Sequence, residues 1–109
     1  MATPELIDVW INCPDDATAK TIADRLLEAR LVACANRFPA IESAYHWKGA
    51  IEREGETPLL VKTRRALFDA VVARVTELHP YETPSILGVP IDLVNPDYAR
   101  WVVEETTRA

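Results

Sequence analysis

The chain has 109 residues, of which 49% are hydrophobic and 27% are charged, and its formal net charge is -5. This length predicts one domain, residues 1–109, large enough to bury its own core. The acidity and the absence of a basic stripe argue against a nucleic-acid partner. Because no apolar run could span a bilayer and no secretory signal pattern is visible, we expect a cytoplasmic protein with no membrane contact.

The first third of the chain predicts a strand followed by a helix. Leu6 to Cys13 is rich in β-branched and aromatic residues and is typical of a strand. Pro14 ends that strand, and Asp15 is a good N-cap residue. Apolar positions then recur with helical spacing, which predicts a helix over about 16–30.

A long hairpin is predicted next. Residues 31–47 have a strand pattern whose phase changes at Pro39, which suggests a bulge or bend. Lys48-Gly49 supplies a turn, and residues 51–63 return as the partner strand. We interpret the acids on one face of that strand, Glu52, Glu54 and Glu56, as a charged outward face that blocks edge pairing. The hairpin reaches beyond what a small domain could cover, so we expect another chain to cover it.

The remaining residues predict a helix, a strand and a short terminal helix. Residues 66–78 carry an apolar stripe at helical spacing. A strand over residues 86–93 follows, with Pro90 favouring an edge or a bulge. Asn95-Pro96 is typical of a helix start, and we expect the terminal helix to turn three side chains inward: Tyr98, Trp101 and Val102.

The order β-α-β-β-α-β predicts an α+β, ferredoxin-like fold with a long hairpin and an additional C-terminal helix. Right-handed crossovers bring the end of the first strand to the same edge as the loop after the second helix. Cys13 and His79 therefore share an edge. Cys34 is placed toward the opposite edge with a strand between, so we expect no Cys13–Cys34 disulfide and interpret Cys34 as a structural core thiol.

The segment His79 to Pro84 carries an imidazole, a phenol and a carboxylate between two prolines, which predicts a rigid loop. With Cys13 it offers a candidate metal site of His79, Cys13 and Glu82, whose donor types suit copper or zinc. The competing interpretation is structural. His79 then completes a helix C-terminus by donating a hydrogen bond to a free carbonyl, and Cys13 is a half-buried small apolar residue.

Aromatic side chains favour a subunit interface over a ligand platform. Tyr81 and Trp47 could stack on a flat ligand, but such residues are enriched at permanent interfaces. We expect His46 to be solvated. No nucleophile–base pair, glycine-rich phosphate loop or EF-hand pattern is present, so the sequence does not predict an enzyme.

Five separated blocks resemble the CutA divalent-cation tolerance family in order and spacing: 31–36, 45–49, 60–63, 79–84 and 96–98. The resemblance implies a ferredoxin-like subunit that forms a tight homotrimer through its hairpins and has a role in copper or heavy-metal tolerance, with no metal required for folding. It places Tyr45, Trp47, Lys62 and Tyr81 at an inter-subunit cleft or interface.

Two positions depart from the family pattern. Many members have a glutamate where this chain has Ser85, and some bacterial members have a cysteine where it has Ile11. We hypothesise that Cys13 substitutes for the cysteine that is missing at Ile11. Glu82 would then replace the carboxylate that is missing at Ser85.

Two alternative functions remain open. The first is a trimeric signalling protein of the PII type that binds a small effector in a cleft between subunits. The second is a purely structural trimer that scaffolds another component.

Overall fold

The structure, a computed structural model, describes residues 5–108. Five strands and three helices follow one another in the order β-α-β-β-β-α-β-α, and a 3₁₀ turn at Arg65–Leu67 leads into the second helix. The elements are β1 Leu6–Cys13, α1 Asp16–Glu28, β2 Cys34–Arg37, β3 Ile41–Trp47, β4 Ala50–Arg64, α2 Phe68–Leu78, β5 Ile86–Pro90 and α3 Pro96–Glu105. None of the helices in this range has the length and apolarity that a membrane crossing requires.

Helix α1 has a side-chain cap at its start and a left-handed residue at its end. The Asp15 carboxylate accepts a hydrogen bond from the Thr18 amide at 2.7 Å, as the sequence predicted for an N-cap. Arg30 has a φ of 56°, and the Leu31 amide donates to the Leu26 carbonyl. This Schellman-type closure ends the helix two residues earlier than the apolar periodicity suggested.

Strands β2 and β3 are one long strand interrupted by a bulge at Pro39, as predicted. Arg37 lies opposite Leu59 and Ile41 lies opposite Glu56, so residues 38–40 face only residues 57–58 of β4. The additional residue on one side defines a bulge. The turn at Lys48 and Gly49 has positive φ at both residues, 49° and 83°, which is the two-residue turn that suits a twisted hairpin.

The sheet has the strand order β2-β4-β1-β5, with β3 also paired to β4. Alternate residues of β1 and β4 pack into the core with one face of α1 and of α2; they include Val9, Ile11, Leu59 and Val61, all 0% exposed. Strand β4 lies between Cys13 on β1 and Cys34 on β2, and both thiols are free. The fold class and the absence of this disulfide are therefore as predicted.

The opposite face of the sheet, here called the open face, is only partly covered. Helix α3 packs against Leu6 through Ala99 and Val102. Trp101 is 40% exposed, so the expectation that it faces inward is wrong, whereas Val102 is buried. Farther along the open face three apolar side chains remain accessible: Phe38, Leu87 and Val89 are 40%, 61% and 46% exposed. The ring centroids of Phe38 and Trp10 lie 5.3 Å apart, so these two rings are in contact.

Candidate functional site

The loop after α2 is fixed to the end of β1 by His79. The backbone amide of His79 donates to the Val75 carbonyl and closes the helix. Its Nε2 donates to the backbone oxygen of Asn12 at 2.7 Å, and its Nδ1 accepts from the Tyr81 amide at 3.2 Å. Both ring nitrogens are used in this arrangement, and the side chain is 6% exposed. As the structural interpretation expected, the His79 ring donates to a free backbone carbonyl. That carbonyl, however, belongs to Asn12 on β1 and not to the helix.

Tyr81 connects the same loop to the hairpin. Its hydroxyl donates to Oε2 of Glu56 at 3.0 Å, and its ring lies 4.7 Å from the His79 ring. Burial raises the pKa of the Tyr81 phenol, and the bond to the Glu56 carboxylate raises it further. The phenol is thus held as a neutral donor. Glu56 is only 6% exposed, so the interpretation of the hairpin acids as one outward face is wrong for this residue.

Cys13 is enclosed in the core. It is 0% exposed, packs among the residues beneath α1 and α2, and is opposite Thr57 in the sheet. The expectation of a half-buried position is therefore wrong. Burial raises the pKa of the Cys13 thiol to about 11, with smaller contributions from the negative charges of Glu56 and Asp15. A thiol in this environment is protonated at neutral pH and is a poor metal ligand until it loses its proton.

The three candidate metal ligands are not assembled into one cluster. Glu82 is exposed and, like Ser85, lines the surface of a cleft beside the loop. Within residues 5–108, no group of three or more His, Cys, Asp or Glu side chains converges as a metal site requires. In this conformation His79 and Cys13 fit a bound metal poorly, because one has no free nitrogen and the other has no exposed thiolate.

A cleft of about 860 Å³ separates the hairpin from the loop. Three predicted interface residues line it: Tyr45, Trp47 and Tyr81. Lys62 does not, because it lies near the middle of the open face and pairs with Asp8 at 2.8 Å. Sequence reasoning missed other residues of this cleft, namely Asn12, Ser43, Glu52, Glu54 and Glu56. The register of the hairpin is the feature that could have identified them, because it places Glu52 opposite Tyr45 and Glu54 opposite Ser43.

Cys34 lies on the open face, not in the main core. It is partly exposed, stands opposite Lys62 in the sheet, and its Sγ lies 3.7 Å from Oδ1 of Asn36. The thiol also contributes to a raised pKa of Tyr98, for which burial is the larger cause. The interpretation as a buried core thiol is therefore too strong, while its structural role stays a prediction.

Comparison with known proteins identifies the family. The family model described as "CutA1 divalent ion tolerance protein" matches residues 7–105. "Divalent-cation tolerance protein CutA" of Pyrococcus horikoshii is 39% identical over 94% of this chain and 100% of its own length. "Protein CutA homolog" of Xenopus laevis is 42% identical over 85% of this chain, which spans 62% of that relative, and the chain spans 55% of "Protein CutA" of Mus musculus.

Solved structures give the same result. The crystal structure of CutA1 from Oryza sativa superposes with a TM-score of 0.94 at 33% identity, covering 98% of both chains. The divalent cation tolerance protein from Thermus thermophilus gives a TM-score of 0.91 at 40% identity, covering 94% of this chain and 99% of its own. Because the family model covers nearly the whole chain and the solved structures share its fold, the chain belongs to the CutA1 divalent ion tolerance protein family.

Proposed function

We propose that this chain serves in divalent-cation tolerance as a homotrimer that binds copper or a similar divalent metal and catalyses no reaction. The observation that carries the proposal is the match of the family model to residues 7–105. The relatives from Pyrococcus horikoshii and Thermus thermophilus are themselves named divalent-cation tolerance proteins.

The chemistry of the cleft supports attraction of cations. Its described lining contains four carboxylates, those of Glu52, Glu54, Glu56 and Glu82, and no lysine or arginine. Negative charge in a concave surface raises the local concentration of cations. Of the three proposed ligands, Glu82 is accessible as the structure stands. His79 would become a ligand only if its two hydrogen bonds were released, and Cys13 only if its thiol were both exposed and deprotonated.

The exposed apolar surface supports assembly. Phe38, Leu87 and Val89 lie on the uncovered part of the open face, and Trp47 at the hairpin tip is 39% exposed. Apolar surface of this kind, on a chain that extends 50 Å along its longest axis, is typical of a subunit contact. Light scattering at micromolar concentration is expected to give three times the 12.2 kDa mass of one chain. A stable monomer would contradict the trimer.

Copper titration by calorimetry tests the metal proposal. Protein purified without an affinity tag or added metal is titrated as wild type, His79→Ala, Glu82→Gln and His46→Ala. We expect saturable binding by the wild type and weaker binding by Glu82→Gln. His46 is exposed on the hairpin and serves as the matched histidine control. Absence of saturable binding by the wild type contradicts the proposal, and equal affinities of wild type and His79→Ala remove His79 from the site.

A further inference from the structure

Helix α3 packs through a small apolar cluster of its own. Its buried residues Ala99 and Val102 contact Leu6 at the start of β1. Four partly buried apolar side chains surround them: Ala33, Ile91, Val94 and Tyr98. Within residues 5–108, this cluster shares no member with the core that β1, β4, α1 and α2 form. A helix of ten residues is marginal in water without tertiary contacts, so α3 depends on this cluster and on the contacts at its two ends.

The connection that enters α3 has no regular secondary structure. Residues 91–95 join β5 to the helix, and Leu93 in the middle of this connection is 88% exposed. The Ile91 amide donates to the Leu6 carbonyl at 3.0 Å, so the first residue of the connection is fixed to the sheet. Asn95, the last residue, is exposed and makes no side-chain cap hydrogen bond. The backbone between these two residues can therefore change its angles without breaking a strand or a helix, which is what a hinge requires.

The other end of α3 is held through a short segment, residues 105–107, here called the strap. Nε of Arg64, near the end of β4, donates to the Thr106 hydroxyl at 3.0 Å, and Nη2 donates to the Thr107 carbonyl. Thr106 is 6% exposed, and its hydroxyl donates to the Val102 carbonyl at 2.9 Å. Hydrogen bonds from a charged donor are stronger than those between neutral groups. Arg64 is therefore the main contact that holds the strap on the open face.

Arg30 holds the strap from the opposite side of the sheet. It follows α1, which packs on the face that α3 does not cover. Its guanidinium donates to the Glu105 carboxylate at 3.0 Å, and its carbonyl accepts the Thr107 amide at 2.7 Å. The ion pair is exposed and contributes less than the contacts of Arg64. Together the two arginines connect the end of α3 to both layers of the fold.

Tyr98 places α3 beside a polar row on the open face. Cys34 is opposite Lys62 in the sheet, and Lys62 is opposite Asp8, with which it forms an ion pair at 2.8 Å. Burial raises the pKa of the Tyr98 phenol, and the neighbouring Cys34 raises it further. The helix therefore covers one end of this row, and its removal would expose both the row and Leu6.

We propose that α3 is a hinged cover, closed by the strap, which opens as a unit while the sheet, α1 and α2 stay folded. The hinge is the connection of residues 91–95, and opening breaks the contacts of the strap with Arg64 and Arg30. Opening increases both the reactivity of Cys34 and the apolar area of the open face. This device goes beyond the role in divalent-cation tolerance and requires no metal.

Hydrogen exchange followed by mass spectrometry tests the proposal on the full chain in its assembled state, with EDTA present. We expect residues 96–107 to exchange faster than β1 and β4 and with less dependence on urea, because a local opening exposes little surface. Arg64→Gln should accelerate the exchange of this segment about tenfold and leave β1 and β4 unchanged, since two charge-assisted hydrogen bonds are lost. Arg30→Gln should accelerate it about threefold. Arg30 is exposed, so its variant keeps the test valid if Arg64→Gln does not fold.

A matched control separates the strap from a general effect of charge on α3. Arg100 is exposed on α3 and pairs with Asp97 of the same helix at 3.0 Å. Arg100→Gln should exchange within about twofold of the wild type. Equal acceleration by Arg100→Gln and Arg64→Gln would overturn the inference, as would no acceleration by Arg64→Gln and Arg30→Gln. Exchange of α3 only together with β1 and β4, which is the result expected if a second copy covers the helix, would overturn it as well.

Labelling of Cys34 is the second readout. During brief exposure to a thiol reagent at pH 8, Cys34 should be modified several-fold faster in Arg64→Gln than in the wild type, because Tyr98 moves away with α3. Arg100→Gln should be labelled like the wild type. Equal labelling rates in the wild type and Arg64→Gln would overturn the placement of α3 as a cover of this thiol.

Discussion

Nε2 of His79 lies 2.7 Å from the backbone oxygen of Asn12, and this contact fixes the start of the loop after α2 to the end of β1. The second ring nitrogen accepts a hydrogen bond from the Tyr81 amide, so one imidazole holds the backbone on both sides of Pro80. The position of Tyr81, and through it the contact with Glu56, depends on this histidine.

His79→Ala is expected to destabilise the protein by about 2 kcal/mol, because it removes two hydrogen bonds and leaves a backbone acceptor without its partner. Denaturant unfolding at fixed protein concentration measures the change. His46→Ala is the control, because His46 is exposed and its removal should change stability by less than about 0.5 kcal/mol. Equal effects of the two substitutions would contradict the bridging role of His79.

Tyr81→Phe is expected to destabilise the protein by about 1–2 kcal/mol, since it removes the one hydrogen-bond donor that reaches the Glu56 carboxylate within residues 5–108. A double-mutant cycle with Glu56→Gln should give a coupling energy of about 1 kcal/mol. The same cycle between Tyr81→Phe and Glu104→Gln should be additive, because Glu104 lies on α3 away from the cleft. A coupling near zero in the first cycle would show that the bond contributes nothing to stability.

The two thiols are expected to react at very different rates with a thiol reagent at pH 8. Cys34 is partly exposed, whereas Cys13 is 0% exposed and has a pKa of about 11. Roughly one Cys13 in a thousand is a thiolate at that pH, and it is sterically shielded. Mass spectrometry after short labelling should find modification at Cys34, with Cys13 modified only as the protein unfolds. Rapid labelling of native Cys13 would contradict its placement in the core.

The raised pKa of Cys13 predicts that the protein loses stability at alkaline pH. Its pKa is raised from 9.0 to about 11 in the folded chain. The unfolded chain therefore releases the proton first, and the stabilisation is complete below pH 9 and is lost as pH rises toward 11. The slope contributed by this group is up to about 1.4 kcal/mol per pH unit. Cys13→Ala should show a shallower decrease than the wild type over this range in urea unfolding, and parallel curves would contradict the assignment.

Leu87→Glu is expected to prevent the proposed trimer from forming, because Leu87 lies on the open face and is 61% exposed in the isolated chain. A charge at that position would be buried in a subunit contact on this face. Light scattering should report a smaller particle with unchanged circular dichroism. Leu27→Glu is the matched control, since Leu27 is 39% exposed on α1, away from the open face. Assembly that is insensitive to Leu87→Glu would exclude this face.

Local sequence signals were sufficient for most of the fold. Asp15 as N-cap, the turn at Lys48 and Gly49, and the change of phase at Pro39 each act through a few neighbouring residues. Their effects on the backbone can be read without knowing what packs against them. The early end of α1 could not be anticipated, because Arg30 adopts the left-handed conformation that usually favours glycine.

The candidate site was predicted less well, because burial depends on distant residues. Tyr81 and Glu56 are 25 residues apart, and their contact requires the loop and the hairpin to be docked on the same edge. The sequence placed His79 and Cys13 at that edge but could not show which face of the sheet each side chain occupies. Packing decides that both nitrogens of the His79 ring are hydrogen-bonded and that the Cys13 thiol is shielded from solvent.

The sequence by itself determined the order of strands and helices, the bulge and the family, since these follow from local backbone preferences and from motifs along the chain. Only the tertiary structure decided which polar groups meet. Packing makes His79 connect the loop to β1, buries Cys13 and places Glu56 between Tyr81 and the cleft. The physical reason is that the solvation and hydrogen bonding of a side chain depend on atoms that are close in space but far apart in the sequence.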